Sequence, residues 1–324
     1  MNTYAKHELE VRVISLNQMQ SIIPQLIANS LIAGSIYALV ALGFNLIYGT
    51  TKFFNLTHGV IAAIGGYVVY FLTKKLGSVF PGAESLEQFF NSGSFGIVTT
   101  TIVAVAFSAL VGWLLNKFLF KKLRARKASQ MVYLVASLGA LTCLQAFLAI
   151  LFTSQFQTLS TGAGDIVTYN IFGGIITQVQ LIIFISVIII MIALGLFLKK
   201  SLFGKSVEAI SDNEQVAKIV GIDTEKVISR VFVIGSAIAG LVGVYVGYDT
   251  GLEPTMGMNL LLKGVIASII GGIGNVYGGV LGAFLLGFVE NFGIWKISGE
   301  WKDAIAFVLL IVFLLVRPQG ILKK

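Results

Sequence analysis

The sequence predicts an all-α fold, a polytopic membrane bundle of about eight to nine transmembrane helices, some of them short or broken. Of its 324 residues, 56% are apolar and only 12% are charged, and the mean hydropathy is +0.90. Apolar stretches recur from residue 22 to the C-terminal end, without a polar gap large enough for a second core. This composition excludes a soluble globular protein.

The chain divides into a short polar segment and one membrane domain. Residues 1–21 are polar and could lie at the membrane interface, whereas residues 22–322 form a single transmembrane domain. The polar segment lacks a basic start followed by a small-residue cleavage site, so the first span is expected to be retained. The single cysteine, Cys143, lies in an apolar run, so neither an intrachain disulfide nor a cysteine metal site is expected.

A helix needs about 20 apolar residues to cross a bilayer core of roughly 30 Å. Five windows meet or approach that length, namely residues 22–48, 96–115, 131–152, 181–198 and 231–248. Two further stretches are shorter, a glycine-rich one at 56–72 and a last span at 304–316. Residues 260–294 are too long for one crossing and contain GGIGN at 271–275, which predicts a hairpin broken at that point.

The charges of the connecting loops predict the side of the membrane that each loop occupies. Residues 117–127 carry six basic and no acidic residues, which is typical of a cytoplasmic loop. Residues 153–180 contain no lysine or arginine and one acid, Asp165, so they are expected outside. Alternation then places residues 199–230 and the C-terminus, with Lys323 and Lys324, in the cytoplasm, and residues 249–259 and 295–302 outside. Counting back places the N-terminus outside, unless one early segment does not fully cross.

Small residues recur every four positions on two predicted helices, which indicates closely packed helix faces. The two sets are Gly235, Ala239, Gly243 and Gly247, and Gly279, Ala283 and Gly287. The alternative is that glycine is simply frequent in membrane helices. That alternative accounts for the total of 36 glycines better than for their spacing.

No catalytic or metal-binding constellation stands out in the sequence. The two histidines, His7 and His58, lack a second histidine or a carboxylate at ligand spacing. His58 is interpreted as an interfacial or helix-terminal residue rather than as an acid or base. The GGIGN segment lacks the Lys-Ser/Thr ending of a phosphate-binding loop.

Polar and glycine residues at the helix breaks, with one carboxylate, are the candidates for a translocation path. A break can expose backbone groups and helix ends to a polar solute, although the first break could also be an ordinary surface loop. An intramembrane carboxylate is a functional candidate, although it could also be solvated or hydrogen-bonded at the outer interface. The candidates are Asn45, Asn55, His58, Gly59, Gly271, Gly272 and Glu290.

Residues 201–230 form a polar island between two long apolar runs. Ser206 is predicted to cap a short helix, and Asp212 a second helix over residues 213–220 that stops at Gly221. Asp223 is predicted to begin the next span. Apolar residues, among them Val216, Ile219 and Val220, give these helices an apolar side, and their acidic and basic residues nearly balance. This combination favours docking into a groove of another protein over lying on lipid.

These segments resemble a known family, the permease subunits of branched-chain amino acid ABC importers, of the LivH type. The resemblance begins with GSIYALVALGFNLIYG and FNLTHG, continues through EAISDNEQVAKIVGI and SAIAGLVGVYVG, and ends with LLVRPQGIL. It covers most of residues 28–322. Leu56 and Thr57 depart from the family's usual F-A-H-G turn, and the first twenty residues lie outside the resemblance.

The resemblance implies a half-channel in the plasma membrane that pairs with a second, related permease. Two cytoplasmic ATPases would bind ATP and magnesium, so this chain would hold no cofactor and would not be an enzyme. A solute-binding protein outside the cytoplasm would contact residues 153–180 and 249–259, and the loop at 117–127 would add a second inner contact. Within the coupling loop, 199–230, the residues implied to contact the ATPase are Glu208, Ala209, Asp212, Ala217, Gly221 and Ile222.

Two other classes of protein are alternatives to the permease subunit of an importer. An ion-coupled secondary transporter or a channel usually places ionisable residues in mid-membrane, and few are visible here. An integral membrane enzyme would need acids, histidines or cysteines clustered near one leaflet. Apolar walls along the translocation path favour branched-chain amino acids as the solute. Other amino acids, amides and urea are the alternative solutes.

Overall fold

A computed structural model of the chain describes residues 3–159, 167–171, 173–295 and 297–322. Helices make up most of this part of the chain. The first half contains α1 (Thr3–Thr51), α2 (Thr57–Tyr70), α3 (Leu76–Val79), α4 (Glu84–Asn91), α5 (Gly93–Leu115), α6 (Lys121–Ala125) and α7 (Gln130–Phe152). π-Helical turns at Phe71–Lys75 and Asn116–Phe120 join α2 to α3 and α5 to α6.

The second half contains a small hairpin and the remaining helices. Strands β1 (Thr168–Ile171) and β2 (Gly174–Thr177) pair antiparallel. A 3₁₀ turn, Gly299–Trp301, precedes the last helix. The helices are α8 (Gln178–Lys200), α9 (Leu202–Asp212), α10 (Glu214–Ile219), α11 (Thr224–Asp249), α12 (Met256–Gly271), α13 (Val276–Gly293) and α14 (Lys302–Val316).

The predicted fold class, a polytopic helical membrane bundle, is confirmed. Among the described residues, seven helical stretches are long and apolar enough to cross a bilayer, and α12 is a shorter apolar helix. The long stretch 260–294 divides into α12 and α13 at the GGIGN segment, as predicted. The last predicted span, 304–316, lies within α14.

The helices separate into a buried centre and an apolar periphery. In the most apolar 18-residue window of α1, 89% of the window is buried inside the protein, whereas in that of α7 only 17% is buried. Outer helices present large apolar side chains, such as Ile150 of α7 and Ile189 of α8, to the surroundings. An apolar exterior of this kind is expected where the solvent is lipid. The central helices are therefore held by protein contacts, and the outer ones are suited to face the bilayer.

The predicted stripe on α13 lies against α1. A Cβ atom added to Gly287 would lie 2.7 Å from the Ser30 carbonyl oxygen, and one added to Gly279 would lie 2.3 Å from Asn45 Nδ2. Ala283, between them, is fully buried. Small residues here let the two backbones approach closely, which gives van der Waals contact without a hydrophobic driving force.

The predicted stripe on α11 contacts several elements in turn. Gly235 lies against the Ile47 side chain of α1, and Ala239 packs with residues of α2. A Cβ atom on Gly243 would lie 1.6 Å from the Ala62 carbonyl oxygen of α2. Gly247 instead lies against Leu159 and Leu252, which belong to connecting segments. The stripe thus continues past the helix contacts to the loops that close this end of the bundle.

Interhelical contacts define two ends of the molecule. We call the end at which Arg124 bonds to Glu225 the basic end. At this end, the Leu322 amide also donates to the Gly271 carbonyl oxygen at 3.0 Å. At the other, which we call the opposite end, Gln180 Nε2 donates to Asp249 Oδ1 at 3.0 Å. The C-terminal residues up to Leu322 therefore lie at the basic end.

The first two helices each run the length of the bundle. The Gln25 side chain of α1 bonds to the Ile175 backbone at the opposite end, whereas Gly49 lies near Ser211 at the basic end. α2 returns to the opposite end, where the Tyr70 hydroxyl donates to Gln157 Oε1 at 2.8 Å. Of the two early arrangements left open by the sequence, this geometry favours two full crossings.

The predicted outer loop, residues 153–180, contains structure that the sequence did not predict. In the β1–β2 hairpin, Thr168 pairs with Thr177 and Ile171 with Gly174. Gln157 forms an isolated bridge with Leu252, which ties this loop to the segment after α11. Asp165 lies outside the described residues, as do Lys323 and Lys324.

Candidate functional site

Two short helices at the basic end, α9 and α10, account for the polar island of the sequence. Ser201 caps α9, because its Oγ accepts a hydrogen bond from the Gly204 amide at 2.9 Å. Asn213 caps α10, because its Oδ1 accepts from the Gln215 and Val216 amides at 2.9 and 3.1 Å. Each cap satisfies an amide that has no partner within its own helix.

The caps predicted at Ser206 and Asp212 are wrong. Ser206 lies inside α9, where its Oγ donates to the Leu202 carbonyl oxygen at 2.9 Å. Asp212 is the last residue of α9. A capping residue has extended backbone, and Ser201 and Asn213 have it, with ψ angles of 151° and 108°. Helix α9 therefore begins five residues earlier than the sequence predicts, at Leu202.

The end of the island is as predicted. Gly221, with a φ of +89°, adopts the left-handed conformation that stops α10. Asp223 caps α11 by accepting from the Lys226 amide at 3.1 Å. Its hydrogen bond with the Lys226 side chain lowers the pKa of the Asp223 carboxyl below its usual value. The ionised carboxylate also suits the positive end of the helix dipole.

One face of α10 and its C-terminal turn presents apolar side chains to solvent at the basic end. Val216, Ile219 and Val220 are 53%, 82% and 68% exposed. The other face is buried, where Ala217 and Ile210 pack in one apolar cluster. Apolar side chains that are exposed together within a polar element mark an interaction surface. We call this trio the α10 apolar face.

The residues implied to contact the ATPase divide between surface and interior. Glu208, Asp212 and Gly221 are exposed, and Ala209 is half-buried, as is Ile222. Ala217 is buried, so it fixes α10 against the bundle instead of offering a contact surface.

The basic loop at residues 117–127 is anchored next to these helices. Arg124 forms a bidentate pair with Glu225 at the start of α11, at 3.0 and 3.1 Å, and also donates to Asn116 Oδ1 at 2.8 Å. Bidentate guanidinium–carboxylate pairs fix orientation as well as position. The loop is thereby held beside the start of α11.

Helix α9 and one path candidate, Asn45, meet at a cavity at the basic end. The cavity has a volume of about 460 Å³ and lies between α1, α8, α9 and the start of α13. Glu208, Lys199 and Asn45 are among its lining residues. Asn45 also holds the GGIGN turn, because its Oδ1 accepts from the Gly274 amide at 3.0 Å and its Nδ2 donates to the Asn275 carbonyl oxygen at 3.1 Å.

The path candidates Gly271 and Gly272 serve the packing of that turn. A Cβ atom on Gly271 would lie 1.8 Å from the Gly278 carbonyl oxygen, so α12 and α13 cross closely there. Gly272 has a φ of +112° and lies against the Leu322 carbonyl oxygen. Both glycines are buried.

The path candidates at the first break are also interior residues. Asn55 begins α2 by accepting from the Thr57 amide and hydroxyl at 3.2 and 2.6 Å. His58 is buried next to Gly43 of α1, and Gly59 lies against Gly257 of α12. His58 is therefore an interior residue at the start of α2.

Glu290 is fully buried in a charged network at the opposite end. Its Oε1 pairs with the Lys263 ammonium, and its Oε2 accepts from the Tyr37 hydroxyl at 2.8 Å. Lys263 also pairs with Asp303 Oδ1 at 2.8 Å, and Lys302 lies 3.8 Å from Glu290 Oε2. The network joins α1, α12, α13 and α14. Because Glu290 is fully buried in it, the alternative that its carboxylate is solvated at the outer interface is excluded.

Glu290 was the predicted member of this network, whereas Tyr37, Lys263, Lys302 and Asp303 were not predicted as site residues. A signal was present, because Lys263 interrupts the apolar run MNLLLKGVIAS. A buried lysine requires a counter-charge. Glu290, beyond the predicted break at residues 271–275, was the carboxylate available within an apolar run.

The described part of the chain contains no group of three or more His, Cys, Asp or Glu side chains placed to hold a metal ion. Cys143 is exposed on α7. The side chain of His7 lies outside the described part.

Comparison with known proteins gives one family and several full-length relatives. The family model described as branched-chain amino acid transport system / permease component matches residues 26–314. No solved structure matches the chain.

Three relatives cover nearly the whole chain. The high-affinity branched-chain amino acid transport system permease protein LivH of Salmonella typhimurium is 31% identical over 91% of this chain and 94% of its own length. LivH of Escherichia coli K12 is 30% identical over the same shares. The permease protein BraD of Pseudomonas aeruginosa is 30% identical over 93% of this chain and 95% of its own.

Proposed function

The chain belongs to the family of permease components of branched-chain amino acid transport systems, and we propose that it forms, with a second related permease, the membrane path of an ATP-driven importer. It carries branched-chain or chemically related amino acids delivered by a binding protein. The chain is a membrane subunit, and ATP with magnesium is bound and hydrolysed by two ATPase subunits at the basic end.

The proposed contact with the ATPase rests on the α10 apolar face. Val216, Ile219 and Val220 are exposed at an end that the basic loops mark as aqueous. Burying a large aliphatic side chain in a partner's groove contributes about 1.5–3 kcal/mol relative to leaving it in water. Caps at both ends keep α10 folded while it docks, which lowers the entropic cost of binding.

The sides of the membrane follow from the basic loops. The loop at residues 117–127, with Lys199 and Lys200, lies at the basic end, which the positive-inside rule places in the cytoplasm. The C-terminus then lies in the cytoplasm, and the β1–β2 hairpin at the opposite end faces the binding protein. The protein is a multi-pass component of the plasma membrane.

The cavity at the basic end supports a route for coupling. Glu208 of α9 and Asn45 of α1 line the same cavity, and Asn45 holds the turn between α12 and α13. A movement of α9 driven by the ATPase therefore has a direct contact path to the central helices.

The test replaces the α10 apolar face in the complete importer, reconstituted in proteoliposomes. We expect Ile219→Asp/Val220→Asp to abolish ATP-driven leucine uptake, because carboxylates cannot be buried in an apolar groove without a large desolvation cost. The matched control, Ile219→Leu/Val220→Ile, keeps the apolar character and should retain uptake. Unchanged uptake by the aspartate variant, with normal membrane insertion, would contradict the ATPase contact.

One observation favours a second candidate, an ion-coupled transporter. The buried Lys263–Glu290 pair is a kind of intramembrane charge that ion-coupled proteins use. Uptake driven by an ion gradient, without ATP, would establish that candidate instead.

A further inference from the structure

A second cavity lies at the opposite end of the bundle. It has a volume of about 320 Å³ and lies where the ends of α8, α11, α12, α13 and α14 meet the middle of α1. That volume is within the range of small-molecule sites. The charged network lies directly beneath it, because Tyr37 lines the cavity and also bonds to Glu290.

The cavity carries one group of each charge. Asp249, at the end of α11, and Lys302, at the start of α14, both line it. Asp249 accepts from Gln180 through Oδ1, and a carboxylate has capacity for further donors. The Lys302 ammonium lies 3.8 Å from Glu290 Oε2, too far for a hydrogen bond, so its hydrogens can reach a ligand.

Two amide side chains, those of Asn29 and Asn291, add hydrogen-bonding groups to the cavity. Asn29 Oδ1 accepts from Gln25, which leaves the Asn29 amide hydrogens for an anionic group. Asn291 Nδ2 donates to the Gly287 carbonyl oxygen at 2.8 Å, which leaves its Oδ1 for a cationic group. The cavity therefore offers both donors and acceptors.

The remaining walls are apolar. Ile32 and Ile36 of α1 face Val246 of α11 and Leu260 of α12 around the cavity. Aliphatic walls with a few placed polar groups bind ligands that have a polar head and an apolar side chain.

We propose that this cavity binds the solute as a zwitterionic α-amino acid with an aliphatic side chain. Lys302 and Asn29 hold its carboxylate, Asp249 and Asn291 hold its ammonium, and the aliphatic walls contact its side chain. The proposal rests on the proposed function, which it deepens by giving the permease a solute site of its own.

The test measures binding of radiolabelled L-leucine to the purified, nucleotide-free importer without its binding protein. Lys302→Met and Asp249→Asn should each weaken binding on the order of 10- to 100-fold, since each removes a hydrogen bond to a charged group. Ala33→Phe, which fills the cavity, should abolish binding without touching either charge. The matched controls Lys75→Met and Glu84→Gln lie at the same end, on exposed positions outside the cavity lining, and should bind as the original protein does.

Competition with two leucine analogues separates a direct contact from misfolding. Isoamylamine lacks the carboxylate, and 4-methylpentanoate lacks the ammonium. Lys302→Met should therefore leave isoamylamine binding unchanged, and Asp249→Asn should leave 4-methylpentanoate binding unchanged. Equal losses for leucine and for both analogues would overturn the assignment of the two charges.

Two further outcomes distinguish this proposal from the proposed function. If uptake requires ATP and the binding protein, but leucine does not bind the permease at millimolar concentration or binds all cavity variants equally, the site is overturned and the importer stands. If uptake proceeds without ATP, the importer assignment is overturned, and the site loses its premise.

Discussion

At the scale of single residues, the Lys263–Glu290 pair is the feature with the largest energetic consequence. Both side chains are buried, and each has a second partner, Asp303 for the lysine and Tyr37 for the carboxylate. Breaking a buried pair on one side leaves an uncompensated charge, whereas replacing both partners by apolar residues is often nearly neutral. The pair is thus expected to fix helix positions more than to add stability.

A double-mutant cycle tests this expectation. Lys263→Met alone should lower the free energy of unfolding by about 3–5 kcal/mol, because Glu290 is left buried beside an apolar side chain. Lys263→Met/Glu290→Met should recover most of that loss. The measurement is thermal unfolding of the purified protein in detergent.

The surface pair Lys218–Glu214 supplies the control for this cycle. It is exposed, so Lys218→Ala should cost less than about 1 kcal/mol. A double variant as unstable as Lys263→Met would show that the two charges do not compensate each other.

Single residues were predictable from the sequence where their role depends on the neighbouring residues of the chain. Gly221 and Asp223 could be assigned, because a left-handed stop and a helix cap depend on a few neighbouring residues. Lys263 could not be paired with Glu290 in that way, because their contact depends on how the α12–α13 hairpin closes. The contacts of Asn45 and Gly271 with the α12–α13 turn were not predictable for the same reason.

At the scale of elements, close helix crossings depend on glycine at particular positions. Gly243→Ala should cost about 1–3 kcal/mol or more, because its Cβ would lie 1.6 Å from the Ala62 carbonyl oxygen and would push α11 away from α2. Gly139→Ala on α7 is the control, since nothing lies within 4 Å of its added Cβ. Thermal unfolding in detergent compares the two, and equal stability would contradict the close crossing.

The corrected start of α9 gives a matched pair of substitutions. Ser201→Ala should destabilise the first turn of α9 by about 1 kcal/mol, because the Gly204 amide loses its acceptor. Ser206→Ala should not, because Ser206 lies inside the helix. Hydrogen exchange of the amides at residues 202–206 measures the difference. Faster exchange in Ser206→Ala than in Ser201→Ala would contradict the cap at Ser201 and support the predicted cap at Ser206.

Element positions were largely predictable, because a membrane span is set by length and hydropathy. The GGIGN break was predictable too, since glycine at positive φ ends a helix. The start of α9 and the β1–β2 hairpin were not. Both are short elements whose stability comes from the bundle they contact.

At the scale of the whole molecule, the arrangement predicts which surfaces each compartment reaches. In a Cys143→Ala background, Glu84→Cys at the opposite end should react with a membrane-impermeant maleimide in right-side-out vesicles. Gln215→Cys at the basic end should react after the vesicles are opened. Both positions are exposed, so a difference in labelling reports the side of the membrane. The reverse pattern would invert the proposed orientation.

The central claim is that this bundle is the membrane subunit of an ATP-driven importer. The most direct measurement is leucine uptake into proteoliposomes that contain this chain, its partner permease and the ATPases, with binding protein outside. We expect uptake with ATP and magnesium at the ATPase face and none when ADP replaces ATP or when the binding protein is omitted. Uptake sustained by an ion gradient alone would contradict it.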